Sequence, residues 1–229
     1  MSAKELFAKL KHGLIVSCQA EDNDPFNTPD GVTLFARAAE MGGAAGIRSC
    51  GIRKTEEIIK NIGLPVIGIT KAKFDDGYVK ITRSAEDVEK LFEIGCSMVA
   101  IDGTMRFWDA LTGPEFIAKM KEKHKKPIMA DISCLKDAIA CADAGADCVS
   151  TTLVGYTAET EAGNDGKPDL ELIRDISQKL RIPLIAEGRI SSPEDAKAAL
   201  DAGAFAVVVG TVITRPRIMT MKYIEKMKA

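Results

Sequence analysis

The sequence predicts an α/β fold, because segments typical of buried strands alternate with segments typical of amphipathic helices along all 229 residues. Eight such strand–helix pairs can be counted, and no change in composition marks a domain boundary between them. One motif, an acidic residue with a glycine two positions after it, recurs at residues 40–45, 93–97, 143–147 and 201–205. Glycine there is the left-handed stop that a short helix-to-strand loop needs. We therefore predict a (β/α)8 TIM barrel with an N-terminal helix, formed by a single domain of residues 1–229.

The predicted strands are short apolar runs that end at polar residues or glycine. They cover residues 14–18, 45–48, 65–69, 98–101, 127–131, 148–152, 182–187 and 206–209. An open, doubly wound sheet is the alternative arrangement of such strands. No Gly-x-Gly-x-x-Gly motif follows the first strand, and eight units favour closure of the sheet into a barrel.

The predicted helices lie between these strands. They cover residues 2–11, 31–41, 55–61, 113–124, 135–144, 170–180 and 193–202, with two more beginning at residue 84 and at about residue 216. Ser84 is expected to cap its helix, with Asp87 in the capping-box region. Two insertions interrupt the alternation: a hairpin with its turn at residues 75–77, and a long Gly/Asp-rich loop over residues 155–168.

The composition is that of a globular protein, with 46% hydrophobic residues, 28% charged residues and a net charge of −2. A nearly neutral chain has no electrostatic reason to bind nucleic acid or an acidic membrane. We also find no apolar run long enough to cross a bilayer, and no export signal at the N-terminus. The six cysteines form no Cys-x-x-Cys pair and lie mostly in or beside apolar runs. They indicate reduced, packed thiols and a cytoplasmic protein.

Polar residues follow the predicted strands at the end where barrel enzymes place their active sites. Strands one, three, five and seven supply Gln19, Lys71, Asp131 and Glu187. Because alternate strands fill the same layer of a barrel, we expect these four to converge, with Lys71 facing Glu187. One such residue alone would more often be an ordinary loop residue, but a whole set of them favours a site. The even strands add Arg48, Asp102, Thr151, Thr152, Gly210 and Thr211.

Glycine follows strands seven and eight, at Gly188 and Gly210, and Arg215 comes shortly afterwards. Glycine lets backbone N–H groups approach an oxyanion closely, so these turns predict a phosphate site. The expected ligands are Gly188, Arg189, Gly210, Thr211 and Arg215, where Arg215 supplies a charged fork and Arg189 either its side chain or only its backbone N–H.

Seven motifs together resemble one family over nearly the whole chain. They are VSCQA at 16–20, GIR at 46–48, PVIGITK at 65–71, MADIS at 129–133, STTLVGYT at 150–157, IAEGRI at 185–190 and VGTVITRP at 209–216. This set is similar to the N-acylglucosamine-6-phosphate 2-epimerases of sialic acid catabolism. The resemblance implies a TIM barrel without metal or cofactor that interconverts N-acetylmannosamine 6-phosphate and N-acetylglucosamine 6-phosphate. Two stretches depart from the family pattern: the acidic loop at 21–24 and the segment at 102–107.

Inversion at C2 requires opening of the hemiacetal, removal of a weakly acidic proton, its return to the other face, and stabilisation of the enediolate. The resemblance and the strand positions imply that Lys71 and Glu187 are the acid and base, in an order that stays open. Gln19, Arg48 and Asp131 are then expected to orient the sugar and the developing charge. Asp131 has a second interpretation, as a residue that orients Lys71.

Neither histidine lies at a strand end suited to metal ligation: His12 precedes strand one, and His124 ends a helix. The sequence therefore predicts no metal site. Two other functions stay open, a Schiff-base sugar-phosphate aldolase that uses Lys71 and a non-catalytic sugar-phosphate sensor. The expected partner is a phosphorylated N-acetyl amino sugar, and a homodimer is an open alternative to a monomer.

Overall fold

The computed structural model describes residues 1–163 and 166–228, and within them eight parallel strands form a closed barrel. In chain order, the ten strands of the described residues are β1 Leu14–Cys18, β2 Gly46–Cys50, β3 Val66–Ile69, β4 Lys71–Lys73, β5 Val79–Ile81, β6 Met98–Asp102, β7 Ile128–Asp131, β8 Cys148–Ser150, β9 Leu184–Glu187 and β10 Ala206–Val209. The barrel runs β1-β2-β3-β6-β7-β8-β9-β10 and closes between β10 and β1. This arrangement confirms the predicted (β/α)8 fold class, and the open-sheet alternative is wrong.

Helices surround the barrel. They are α1 Ala3–Leu10, α2 Pro29–Met41, α3 Ile52–Asn61, α4 Ala85–Glu93, α5 Gly113–Lys123, α6 Leu135–Asp143, α7 Leu170–Lys179, α8 Pro193–Asp201, α9 Thr211–Thr214 and α10 Pro216–Lys228. Helix α2 starts two residues before its predicted beginning at residue 31, because the Thr28 side chain caps the Gly31 N–H and Pro29 fits the first turn. The sixth barrel strand ends at Ser150, earlier than predicted, since a short 3₁₀ turn, Thr151–Leu153, follows it.

The predicted local signals are present at their positions. β4 and β5 form an antiparallel hairpin whose turn contains Gly77 at φ 88°. The Ser84 side chain caps α4 by accepting a hydrogen bond from the Asp87 N–H. The repeated helix stops at Gly43, Gly95, Gly145 and Gly203 all have φ between 87° and 107°, a region in which a side chain is strained.

The apolar core has two layers, as the alternation of side chains along each strand requires. Outward-facing residues pack under the helices, whereas the barrel interior holds a separate cluster that includes Ile67, Met129 and Ile185. Leu6 and Leu10 of α1 belong to this interior cluster and are fully buried. The N-terminal helix therefore closes the lower end of the barrel, and the carboxyl ends of the strands form the accessible end.

Asn164 and Asp165, in the predicted Gly/Asp-rich loop, lie outside the described residues. In the described part of the chain, no helix has the length and apolar character needed to cross a membrane. All six cysteines are free thiols, in agreement with the sequence prediction. Burial raises the pKa of the Cys18 and Cys96 thiols to about 12, so these two are packing residues.

Candidate active site

A charged cluster lies at the carboxyl end of the barrel, where Arg48, Asp131 and Glu187 meet. Arg48 forms two parallel bonds to the Asp131 carboxylate, Nη1 to Oδ1 at 3.0 Å and Nη2 to Oδ2 at 2.5 Å. The same Nη1 lies 3.1 Å from Oε2 of Glu187. The side chains of Arg48 and Asp131 are almost entirely buried, and that of Glu187 is 14% exposed. One cation thus balances two carboxylates at a place where water is largely excluded.

Thr152 joins the two carboxylates, a role that was not predicted for it. Its Oγ1 lies 2.7 Å from Oδ1 of Asp131, 3.1 Å from Oε2 of Glu187 and 2.9 Å from Oγ of Ser150. Thr152 comes two residues after the end of β8. Its position at a strand end was visible in the sequence, but a threonine there carries no signal that separates a site residue from a loop residue.

Glu187 is held at the edge of the cluster by the backbone as well. Its N–H donates to Oγ1 of Thr151, and the Thr151 hydroxyl donates to the Glu187 carbonyl. Burial raises the pKa of the Glu187 carboxyl above its ordinary value, an effect that Asp131 reinforces and Arg48 opposes. A carboxyl group whose pKa is raised titrates closer to neutrality than an ordinary glutamate does, which suits a role in proton transfer.

Lys71 lies close to this cluster but outside it. Strand β3 ends at Ile69, and Lys71 is the first residue of the hairpin strand β4. Its Nζ lies 2.6 Å from Oε1 of Glu21, and its side chain is 30% exposed. The expected direct approach of Lys71 to Glu187 is therefore not present in this structure, although the positive charge of Lys71 weakly opposes the rise that burial causes in the pKa of Glu187. The physical reason is that the Lys71 ammonium has a carboxylate closer to it than Glu187, namely that of Glu21 on the loop after β1.

The same Glu21 carboxylate also binds Arg215. Nη2 of Arg215 lies 3.1 Å from Oε1, and Nη1 lies 3.3 Å from Oε2. Partial burial by itself would raise the pKa of Glu21, but the charges of Lys71 and Arg215 outweigh it and lower this pKa to about 2. The acidity of this loop was evident from the sequence, but Glu21 was not predicted to belong to the site.

Gln19 directly follows β1, at the carboxyl end of the barrel. Its Nε2 donates to Oγ of Ser17 at 2.7 Å. The carbonyl oxygen Oε1 is buried and has no hydrogen-bond partner within the described residues. An unpartnered buried acceptor is costly for a protein that binds nothing there, so Gln19 offers an acceptor to the hydroxyl or N–H of a ligand.

The two predicted glycine turns follow β9 and β10. Gly188 has φ 103° and Arg189 φ 57°, so backbone strain is present at a non-glycine residue two positions after Glu187. The Arg189 guanidinium points into the loop that follows β8, where it donates to the carbonyls of Val154 and Gly155. Of the two interpretations of Arg189, the one through its backbone N–H fits this geometry.

The second glycine turn begins the short helix α9. A Cβ at Gly210 would lie 3.2 Å from the Cβ of Ser17, so glycine permits the close packing of this turn on β1. Thr211 follows as the first residue of α9, and the Thr214 hydroxyl donates to the Ser17 carbonyl at 2.7 Å. These contacts place the turn and Arg215 beside the end of β1, near Gln19.

The remaining charged strand-end residue, Asp102, belongs to a different cluster. It accepts hydrogen bonds from Thr104 and forms an ion pair with Arg106 at 2.9 Å. His12 lies at the opposite end of the barrel, where its N–H donates to the Phe205 carbonyl. Among residues 1–163 and 166–228, no three His, Cys, Asp or Glu side chains are arranged to hold a metal ion.

Comparison with known proteins supports the same family along almost the entire chain. A family model described as "Putative N-acetylmannosamine-6-phosphate epimerase" matches residues 32–229. A protein of Caldanaerobacter subterraneus subsp. tengcongensis is 43% identical over 226 residues, which is 98% of this chain and 94% of that protein. One of Clostridioides difficile is 41% identical and covers 95% of this chain and 96% of its own length. Both are described as "Putative N-acetylmannosamine-6-phosphate 2-epimerase".

Solved structures agree with this result. The N-acetylmannosamine-6-phosphate 2-epimerase from Clostridium perfringens superposes with a TM-score of 0.90 at 37% identity, over 98% of this chain and 97% of that one. A thiamine phosphate pyrophosphorylase from Pyrococcus furiosus superposes with a TM-score of 0.62 at 18% identity, over 91% of this chain and 89% of that one. At so low an identity, the second similarity shows the barrel fold alone.

Proposed function

The chain belongs to the N-acetylmannosamine-6-phosphate epimerase family, and we propose that it interconverts N-acetylmannosamine 6-phosphate and N-acetylglucosamine 6-phosphate by proton transfer at C2. This is an isomerase reaction of sialic acid and amino sugar catabolism. The observation that carries the proposal is the buried cluster of Arg48, Asp131 and Glu187 at the open end of the barrel. Buried charges of this kind contribute little to stability, so a chemical role explains them better than a structural one.

We propose that the substrate phosphate binds to the turns after β9 and β10. Its ligands are the backbone N–H groups of Gly188, Arg189, Gly210 and Thr211, with the guanidinium of Arg215 as the counter-charge. The loops after strands seven and eight form the phosphate site in many barrels of this fold. A phosphate held there places the sugar over the barrel mouth, between Gln19 and the charged cluster.

Gln19, Arg48 and Asp131 then orient the open-chain sugar. The free Oε1 of Gln19 accepts from a hydroxyl or from the N-acetyl N–H, and Asp131 fixes the plane of the Arg48 guanidinium. Removal of the C2 proton moves negative charge onto the C1 oxygen. Arg48 is the cation of the buried cluster, and its positive charge stabilises the enediolate more than it stabilises the neutral aldehyde.

Lys71 and Glu187 are proposed as the acid/base pair. Strands β3 and β9 are opposite in the barrel, so residues that follow them approach C2 from its two faces. One of the two accepts the C2 proton to form the enediolate, and the other donates a proton to the opposite face, which restores the aldehyde with inverted configuration. The raised pKa of Glu187 supports this role, because it increases the protonated fraction available for donation.

The decisive experiment uses purified, chelator-treated protein with N-acetylmannosamine 6-phosphate in deuterated water. We expect the C2 epimer to appear by NMR with deuterium at C2, and at an unchanged rate in excess EDTA. Loss of turnover in EDTA that one divalent ion restores would contradict the metal-free mechanism. Borohydride trapping of the sugar on Lys71 would instead indicate the Schiff-base aldolase, and absence of both reactions would indicate a sensor.

We further propose that the enzyme acts in the cytoplasm as a homodimer. Helix α10 has no buried residue, and it exposes the large apolar side chains of Met221, Tyr223, Ile224 and Met227. Such a patch favours burial against a second copy. Sedimentation should show a dimer that Ile224→Glu weakens and the neighbouring Lys222→Glu does not. A monomeric parent protein would contradict this assembly.

A further inference from the structure

The Glu21 carboxylate lies between Lys71 and Arg215, two partly exposed cations of the proposed site, and the proposed reaction uses neither of its ion pairs. Its Oε1 is 2.6 Å from Nζ of Lys71 and 3.1 Å from Nη2 of Arg215. Its Oε2 is 3.3 Å from Nη1 of Arg215. The Glu21 carboxylate thus pairs both with Arg215, which is assigned to the phosphate, and with Lys71, which is assigned to proton transfer at C2.

Glu21 and an anionic substrate compete for these two cations. A phosphate that binds the Nη1 and Nη2 groups of Arg215 in a forked geometry competes with Glu21, whose Oε2 accepts a hydrogen bond from Nη1 and whose Oε1 lies 3.1 Å from Nη2. Lys71 has to turn from Oε1 of Glu21 before its Nζ can reach a carbon of the sugar. The anion position beside both cations is therefore taken by a carboxylate that belongs to the protein.

The loop that carries Glu21 is anchored independently of this carboxylate. Nζ of Lys54, on α3, donates to the Ala20 carbonyl and to Oδ1 of Asn27, which ties down the loop at both ends. Within the loop, the Asp24 N–H donates to the Glu21 carbonyl. The Glu21 side chain itself is 41% exposed. A rotation of this side chain into solvent consequently releases both cations without moving the loop backbone.

We propose that Glu21 is an internal counter-ion that holds Arg215 and Lys71 before the substrate binds and is displaced from Arg215 by the phosphate of the substrate. The displacement lowers the apparent affinity for every ligand that uses Arg215. A phosphate dianion outcompetes a single carboxylate, whereas weaker anions do not, so Glu21 makes the site selective for phosphorylated sugars. This inference rests on the proposed function only for the identity of the substrate.

Inorganic phosphate is the probe, because its binding requires no turnover. Calorimetry should compare the parent protein with Glu21→Gln, in which the charge is removed and the size is kept. The control is Asp22→Asn, which removes one negative charge from an exposed side chain at the neighbouring position. Asparagine tolerates the φ of 52° that Asp22 adopts. We expect Glu21→Gln to tighten phosphate binding by about 10-fold or more, and Asp22→Asn to change it by less than about 3-fold.

A second variant confirms the location. Arg215→Ala introduced into Glu21→Gln should abolish the gain in phosphate affinity. An unchanged or weaker affinity in Glu21→Gln, an equal gain in Asp22→Asn, or no phosphate binding in any variant would each overturn the proposal. Failure of the proposed function shows differently, as an absence of C2 epimerisation in the parent protein whatever its phosphate affinity.

Discussion

Arg48 and Asp131, which are 83 residues apart in the chain, form a two-pronged ion pair across the open end of the barrel. Arg48 is carried by β2 and Asp131 by β7, so the pair spans strands that are not neighbours in the sheet. Both side chains are almost fully removed from water. The pair therefore orders the mouth of the barrel, and each charge depends on the other for its solvation.

Removal of only one partner should be strongly destabilising. Arg48→Met leaves the carboxylates of Asp131 and Glu187 without their cation, and Asp131→Ala removes the two-pronged partner of Arg48 and leaves it only Glu187. Each variant is expected to lower the free energy of unfolding by about 3–5 kcal/mol. The triple variant Arg48→Met/Asp131→Leu/Glu187→Gln should lose much less than the sum of the two single losses, because it removes the cation together with both of its carboxylates. Urea denaturation at pH 7 measures the three values, and additive losses would show that the pair is not coupled.

Glu187→Gln should change how stability depends on pH. Burial raises the pKa of Glu187 above its ordinary value of 4.5, so the folded protein binds this proton more tightly than the unfolded chain does. The resulting stabilisation is complete below pH 4.5 and is lost as the pH rises through the raised pKa. Glutamine imitates the protonated form, so the free energy of unfolding of the variant should rise relative to that of the parent protein over this interval. The rise should be about 1.4 kcal/mol for every pH unit by which the folded pKa exceeds the unfolded one.

The control for this experiment is Glu171→Gln, at an exposed glutamate on α7. Its stability should run parallel to that of the parent protein as the pH rises from 4.5 through neutrality. A difference between parent and Glu187→Gln that does not grow with pH would contradict the raised pKa. The same Glu187 variant should lose epimerisation, so stability and activity are expected to change in opposite directions.

Single substitutions of Lys71 and Glu187 test the division of labour between them. If each residue serves one face of C2, Lys71→Ala and Glu187→Ala should each lower turnover by about 10²–10⁴-fold or more. One of the two variants should still exchange the C2 proton of one epimer with deuterated solvent. Should Glu187→Ala keep slow exchange with both epimers while Lys71→Ala loses both, Lys71 would be the only base, and the two-face assignment would be wrong.

Arg215→Ala should selectively weaken the binding of the phosphorylated sugar. The lost charge-assisted bonds are expected to cost about 2–3 kcal/mol, measured by calorimetry with N-acetylglucosamine 6-phosphate. Unphosphorylated N-acetylmannosamine should bind with nearly unchanged affinity. Arg217→Ala is the matched control, since Arg217 is more exposed and only approaches Asp24 at 3.9 Å. Equal losses for both sugars would mean that Arg215 supports the fold instead.

The sequence by itself determined the barrel and most of the residues at its mouth. Strand alternation and the glycine stops are local properties, set by the period of two along a strand and by the steric cost of a left-handed backbone. Since every parallel strand of a closed barrel ends at the same rim, Arg48, Asp131 and Glu187 were expected there before their contacts were known. The family motifs then supplied the chemistry that these residue types suit.

Only the tertiary structure decided which of these groups touch one another. Thr152 connects Asp131 to Glu187, and Glu21 holds Lys71 and Arg215, although no local pattern distinguishes either residue from its neighbours in the sequence. Such pairings depend on strand register, on the path of each loop and on competition between charges at distances of a few ångströms. A charged group pairs with the nearest group of opposite charge, because the attraction falls with distance. The distances between side chains on different strands are set by the closed sheet and cannot be read from any single segment of the chain.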